Sequence, residues 1–150
     1  GQRLLLHIEE VNAVPRVEVH PRQLILYLRP GSTLEKRQSI LAAWYRNELR
    51  REAAALIDHW QQRLGVQINK LFVQAMSRQW SSCNPATKNI RLNTQLAQKP
   101  RTCLDYIVLH ELAHLKVPTH GEEFIALLDS LQPDWQERRR LLNSLPILEG

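Results

Sequence analysis

Long apolar runs, cysteine and glycine are all scarce in this chain of 150 residues. No stretch approaches the roughly 18 apolar residues of a transmembrane helix, and the run Leu4–Leu6 is broken by His7, so a signal-peptide core is also lacking. The two cysteines, Cys83 and Cys103, exclude a disulfide scaffold and form no CxxC pair. The chain also lacks repeats and Gly/Ser-rich linkers, so we expect a single domain over residues 1–150.

The chain does carry an ordinary apolar fraction and an excess of positive charge. Hydrophobic residues make up 43% of the sequence, enough for a packed core, and the formal net charge is +5. Basic clusters at Arg46–Arg51 and Arg138–Arg140 fall in helical patterns that also contain glutamates. We interpret both clusters as solvated helix faces, with a nucleic-acid-binding surface as the alternative.

One motif specifies a chemistry. Residues His110, Glu111 and His114 form an H-E-x-x-H pattern, and a third histidine, His120, follows six positions later. Histidines at i and i+4 lie on one helix face, so their imidazoles can bind the same Zn²⁺ ion. A catalytic zinc usually has three protein ligands and one open position, and Glu111 would stand beside that position as general base.

The flanking residues support this interpretation. Apolar side chains recur at helical spacing on the opposite side of the same segment, which predicts a helix over Arg101–Lys116 with a core face and a metal face. Pro118 ends that helix. Thr119 is expected to cap the next helix, so that His120 projects from its first turn.

Two alternatives to a catalytic site are open on the sequence. One is a surface helix with incidental histidines, and the other is a structural zinc site or an inactive enzyme. Structural zinc is usually held by four Cys and His ligands, and no CxxC pair exists here. One cysteine could serve as a further ligand, but three histidines already suffice.

The rest of the chain predicts a mixed α+β architecture. The first 31 residues indicate a small antiparallel meander, and Ser32 and Glu35 fit a capping box that opens a long helix to Leu64, with Gly65 as C-cap. The elements expected in order are strands at Leu4–Val11, Arg16–His20 and Gln23–Arg29, a helix at Leu34–Leu64, strands at Val66–Met76 and Asn89–Asn93, and, after the motif helix, two helices that end near Asn143.

Asn89–Asn93 is taken as an exposed edge strand just before the motif helix. A strand edge of this kind can pair with an extended peptide and present its scissile bond to the metal. An edge that binds nothing explains the pattern equally well. Tyr106, four residues before His110, and Asn93 are candidate contacts for substrate or transition state. Asp105 is interpreted as an acid that complements the helix dipole, or else as a partner of a ligand N–H group.

Several segments together resemble the YgjP-like metallopeptidase family, over roughly residues 65–145. They are Trp80-Ser-Ser-Cys83, Asn89-Ile-Arg-Leu-Asn93, Asp105 to Leu115 with the H-E-x-x-H motif, His120-x-x-x-Phe124 and Pro133-Asp-Trp135. SprT-like and WLM proteases are similar more distantly. The family usually has Trp-Gly-Ser-Cys, so Ser81 stands where a glycine is common.

The resemblance implies a minimal zincin core: meander (1–31), long helix (32–65) and catalytic part (66–150) in one zinc metallopeptidase domain. It implies one Zn²⁺ held by His110, His114 and His120, with Glu111 as general base toward a zinc-bound water. It also implies a cytoplasmic protein. The lack of a long apolar run predicts no membrane partner, and the strand edge predicts an extended peptide or protein as substrate. The alternatives are a SprT/WLM-like protease acting on DNA-bound protein and a catalytically silent, zinc-stabilised peptide-binding domain.

Overall fold

The computed structural model describes residues 4–148 and has an α+β fold, as expected. Its described elements are six strands in two small sheets, four helices and a short 3-10 helix. In chain order these are β1 (Leu5–Glu10), β2 (Arg16–His20), β3 (Gln23–Leu28), α1 (Leu34–Leu64), β4 (Leu71–Gln74), β5 (Ser81–Asn84), β6 (Asn89–Asn93), the 3-10 helix (Thr94–Gln98), α2 (Arg101–Lys116), α3 (Glu122–Leu131) and α4 (Trp135–Ser144). No helix within residues 4–148 is long and apolar enough to cross a membrane.

The first sheet corrects the predicted antiparallel meander. Its strand order is β1-β3-β2, and β1 runs parallel to β3 while β2 runs antiparallel to it. The most apolar strand, β3, takes the centre and buries Leu24, Leu26 and Leu28, each at 2% exposure or less. The segment after β1 crosses the end of β3, where Val11 N donates to Leu28 O at 2.7 Å. The prediction of an antiparallel meander is therefore wrong, because burial of the apolar strand β3 places it at the centre of the sheet.

Helix α1 has the predicted length and C-cap but a different N-cap. Gly65 ends it in the left-handed region, with φ of 70°, which favours glycine. The N-cap is Thr33, whose Oγ1 accepts from Lys36 N at 3.1 Å. The Ser32 hydroxyl donates instead to Arg29 O at 2.7 Å. The predicted cap was thus one residue too early, because the Ser32 hydroxyl bonds backward into the preceding turn.

The second sheet has the same connectivity as the first. Its order is β4-β6-β5, with β4 parallel to β6 and β5 antiparallel to it. The predicted strand at Val66–Met76 shortens to Leu71–Gln74. Asn89–Asn93 is central rather than an edge, because Ile90 and Leu92 are fully buried and both sides of β6 are paired. Strands β4 and β5 are the two edges.

Helix α2 has the predicted bounds and is the most buried element of the core. Helix α4 starts at Trp135, which is buried together with Leu142, whereas Leu141 is 40% exposed. A polar contact joins three helices: the indole of Trp60 donates to Asp105 Oδ1 at 2.7 Å, and Arg138 donates to Asp105 Oδ2 at 3.1 Å. Asp105 is therefore committed to Trp60 and Arg138, and lies beyond the first turn of α2.

Candidate metal centre

Helix α2 presents two histidines on one face and the core on the other. Leu104, Val108 and Leu112 are each at 2% exposure or less, whereas His110 and His114 are half-buried. The split follows from helical periodicity, since the apolar residues recur three to four positions apart. The ring centroids of His110 and His114 lie 4.6 Å apart, so the predicted i, i+4 neighbours are in contact.

His120 reaches the same place from the loop after α2. Helix α2 ends at Lys116 with Val117 as its C-cap, and α3 begins only after its N-cap, Gly121. His120 therefore lies in the connecting loop, and the prediction that Thr119 caps α3 is wrong. The helix gives way to extended backbone at Val117. The loop after it returns toward α2, and His120 Nε2 lies 2.6 Å from His114 Nε2.

These three histidines form a group that could hold a metal ion. One ring nitrogen from each lies within 4.8 Å of the others, and this is the one such group within residues 4–148. Nitrogen ligands about 2 Å from a single zinc ion are at most about 4 Å apart, so small side-chain adjustments suffice. Imidazole nitrogen suits zinc and other late transition metals, and the donor set therefore fits.

The surroundings favour the neutral form of His114. Burial lowers its pKa, and the neighbouring His110 and His120 lower it further, while Glu111 and a hydrogen bond to the Pro118 backbone act in the opposite direction. Phe124 stacks against this imidazole with centroids 4.6 Å apart. A neutral imidazole held by a backbone hydrogen bond is the form that coordinates a metal.

Glu111 lies inside the protein beside the histidines. It is 5% exposed, and its Oε1 is 3.1 Å from His110 Nδ1. Burial, and then the negative charge of Glu111, raise the pKa of the Cys83 thiol on β5 to about 11. The carboxylate thus faces the space between α2 and the edge strand. Cys83 itself stays protonated near neutral pH and is not among the clustered donors.

Two cavities adjoin this group. A cleft of about 670 Å³ extends from the loop before β5 across α2 to α4, and it is lined by His110 and Glu111 among others. A side pocket of about 280 Å³ is lined by His110, His120 and apolar residues of α3. Tyr106 lines both, at 6% exposure, and its ring centroid lies 5.7 Å from that of His110. Burial raises the pKa of Tyr106, and the charge of Arg139 lowers it.

The structure places the predicted residue Asn93 differently. It is fully buried, and its Nδ2 donates to Met76 O at 2.8 Å and to Gln79 O at 3.0 Å. Its Oδ1 accepts from Gln95 N and caps the 3-10 helix. Asn93 therefore supports the cleft wall from behind, with its amide committed to backbone partners.

Arg139 also lines both cavities, although its sequence context indicated a solvated face. A signal was available: it lies four residues after the buried Trp135 and three before the buried Leu142, so it falls on the inward side of α4. The neighbouring Arg138 pairs with Asp105 and Asp134.

Comparison with known proteins agrees with this geometry. A family model described as YgjP-like, metallopeptidase domain, matches residues 1–145. The metallopeptidase zymogen jannalysin of Methanocaldococcus jannaschii is 24% identical, with a TM-score of 0.55 over 61% of this chain and 94% of that one. The zymogen abylysin of Pyrococcus abyssi is 22% identical, with a TM-score of 0.56 over 64% of this chain and 99% of that one.

At these identities the two structures establish a shared fold. None of the curated protein sequences matches this chain. The family match, however, spans nearly the whole chain and includes the histidine cluster. The chain therefore belongs to the YgjP-like family and carries its metallopeptidase domain.

Proposed function

We propose that this protein is a zinc peptidase that hydrolyses an extended polypeptide lying in the cleft, with Glu111 as general base. His110, His114 and His120 would hold the ion. The observation that carries the proposal is the convergence of three imidazoles on one point with a buried carboxylate beside them. In a member of a metallopeptidase family, this is the combination that peptide hydrolysis requires.

The reaction needs two proton transfers, and Glu111 can perform both. When bound, zinc would supply a Lewis acid that makes water more acidic and polarises the scissile carbonyl. A carboxylate oxygen of Glu111 accepts a proton from the attacking water as the new C–O bond forms. It then delivers that proton to the amide nitrogen as the C–N bond breaks, so Glu111 is regenerated.

The substrate is expected to lie along β5. This strand is hydrogen-bonded to β6 on one side only, and Trp80 and Ser81 at its start line the cleft. An extended peptide can add to such an edge through backbone hydrogen bonds. The predicted mode of binding is thus kept, but the edge is Ser81–Asn84 rather than Asn89–Asn93.

The test combines metal analysis with cleavage of a broad peptide library. We expect wild type to bind one zinc per chain, His120→Ala to lose most of it, and Glu111→Gln to keep it. Because a general base contributes about 10²- to 10⁴-fold, Glu111→Gln should slow cleavage at least about 100-fold. Cleavage by Glu111→Gln at the wild-type rate would show that Glu111 is not the general base.

The same assay addresses the alternatives. A zinc-loaded wild type that cleaves nothing would favour a silent or latent site, and the two solved neighbours are themselves zymogens. For a nucleic-acid-associated protease, the basic cluster on α4 provides no specific support, since it is divided among an ion pair, the cleft and solvent. The cytoplasmic location stays a prediction.

A further inference from the structure

Arg139 stands where the two cavities meet. The cleft and the side pocket share three lining residues, which are Tyr106, His110 and Arg139. His110 is one of the clustered histidines, so the arginine adjoins the space in which the reacting bond would lie. It is exposed on α4, and its guanidinium is accessible to a bound molecule.

Within the described chain, Arg139 has no acidic partner. Asp105 and Asp134 both pair with the preceding residue, Arg138. The charged residues that line the cleft are Arg78, Arg139 and Glu111, and of these only the two arginines are exposed. The accessible charge of the cleft is therefore positive, and a guanidinium with free donors suits a carboxylate, which it can bind through two parallel hydrogen bonds.

The side pocket places an apolar wall beside this positive charge. Phe124, Leu128 and Trp135 give it an apolar lining, and all three are buried in the protein. Arg139 lines this pocket as well as the cleft. A side chain with an aliphatic stem and a terminal acid would match both features, with the stem against the apolar wall and the acid on the guanidinium.

We propose that Arg139 determines specificity by binding a carboxylate of the peptide substrate close to the scissile bond. This inference rests on the proposed peptidase function. The carboxylate can come from an Asp or Glu side chain or from the free C-terminus of a peptide. The two sources share the same chemistry at the guanidinium, and a binding experiment separates them.

The experiment measures peptide binding by zinc-loaded protein in the Glu111→Gln background, so that it does not depend on turnover. Fluorescent peptides of otherwise neutral sequence carry either Glu or its neutral analogue Gln at one position, which is moved along the peptide. A second pair carries a free or an amidated C-terminus. The variant is Arg139→Gln, and the matched control is Arg140→Gln, an adjacent exposed arginine that lines neither cavity.

We expect the parent protein to prefer one acidic peptide over its neutral counterpart by about tenfold, as one charge-assisted pair can provide. Arg139→Gln should abolish that preference, and Arg140→Gln should keep it. Preference for an internal Glu assigns a side chain, and preference for the free terminus assigns the α-carboxylate. In Arg139→Glu, the preference should reverse toward a peptide with Lys at the same position.

Three results would overturn the proposal. They are equal binding of acidic and neutral peptides, an acidic preference that survives Arg139→Gln, and absence of binding by any peptide. A thermal melt of each variant checks folding, which replacement of an exposed side chain should leave unchanged. If wild type cleaves nothing while Arg139 still selects acidic peptides, the peptidase function fails and the carboxylate site stands.

Discussion

At the scale of single residues, burial and the carboxylate of Glu111 together raise the pKa of a cysteine on β5. Cys83 on β5 is partly exposed, yet burial and the Glu111 charge raise its pKa to about 11. Because only the thiolate is nucleophilic, the thiol should be inert near neutral pH. Its position near the candidate centre therefore does not make it a nucleophile.

This predicts slow alkylation. At pH 8 a thiol with a pKa of about 11 is roughly 0.1% ionised, so iodoacetamide should modify Cys83 about 100-fold more slowly in the native than in the unfolded chain. Glu111→Gln should speed the native reaction, since it removes one of the two causes. Peptide mapping by mass spectrometry separates Cys83 from the fully buried Cys103. Rapid native alkylation at pH 8 would contradict the assignment.

At the scale of elements, the ends of the helices are set by particular residues. Gly65 stops α1 in a left-handed conformation, with φ of 70°, and no atom lies within 4 Å of where a Cβ would be. Backbone conformation, and not crowding around a side chain, is thus what favours glycine at position 65. Gly121, the N-cap of α3, has φ of −100°, which any residue can adopt.

The two glycines should respond differently to alanine. Gly65→Ala should lower the free energy of unfolding by about 1 kcal/mol, because alanine is strained in the left-handed region. Gly121→Ala, with equal space around it, should be neutral or slightly stabilising, since it reduces the freedom of the unfolded chain. Urea denaturation of both variants gives the comparison, and equal losses would show that backbone conformation is not the cause.

The bounds of α1 and α2 could be predicted from the sequence, whereas the strand order of the sheets could not. Periodicity, Gly65 and Pro118 are local signals, so the bounds of α1 and α2 follow from neighbouring residues. Strand order depends on contacts between distant segments. The predicted N-cap Ser32 was one residue too early, because its hydroxyl makes a competing local hydrogen bond. His120 lies in a loop because α3 begins later than predicted.

At the scale of the molecule, the candidate centre joins helix α2 to the loop that follows it. His110 and His114 belong to α2, and His120 belongs to the exposed loop that leads to α3. An ion held by all three would cross-link this loop to the core. The motif and its flanks predicted this group of three histidines. The cleft walls come from the segment before β5 and from α4, which no local pattern brings together.

Metal removal should therefore lower stability. A ligand at 1,000 times its Kd stabilises the native state by about 4 kcal/mol, so stripping zinc with a chelator should lower Tm by roughly 10 °C. His120→Ala should show a smaller difference between the loaded and stripped forms. His59→Ala, on the exposed side of α1, should behave as wild type. A chelator-independent Tm in wild type would argue against a metal bound by the folded protein.

The connectivity shared by the two sheets has a consequence for the order in which they can assemble. In each, the second and third strands are joined by a short turn, so that pair closes a small loop. The first strand must instead find a partner roughly twenty residues along the chain, as Leu5 does with Gln23 and Leu71 with Ile90, and this closure costs more entropy. Each hairpin can thus form on its own during synthesis, while the parallel strand can dock only once the central strand has emerged.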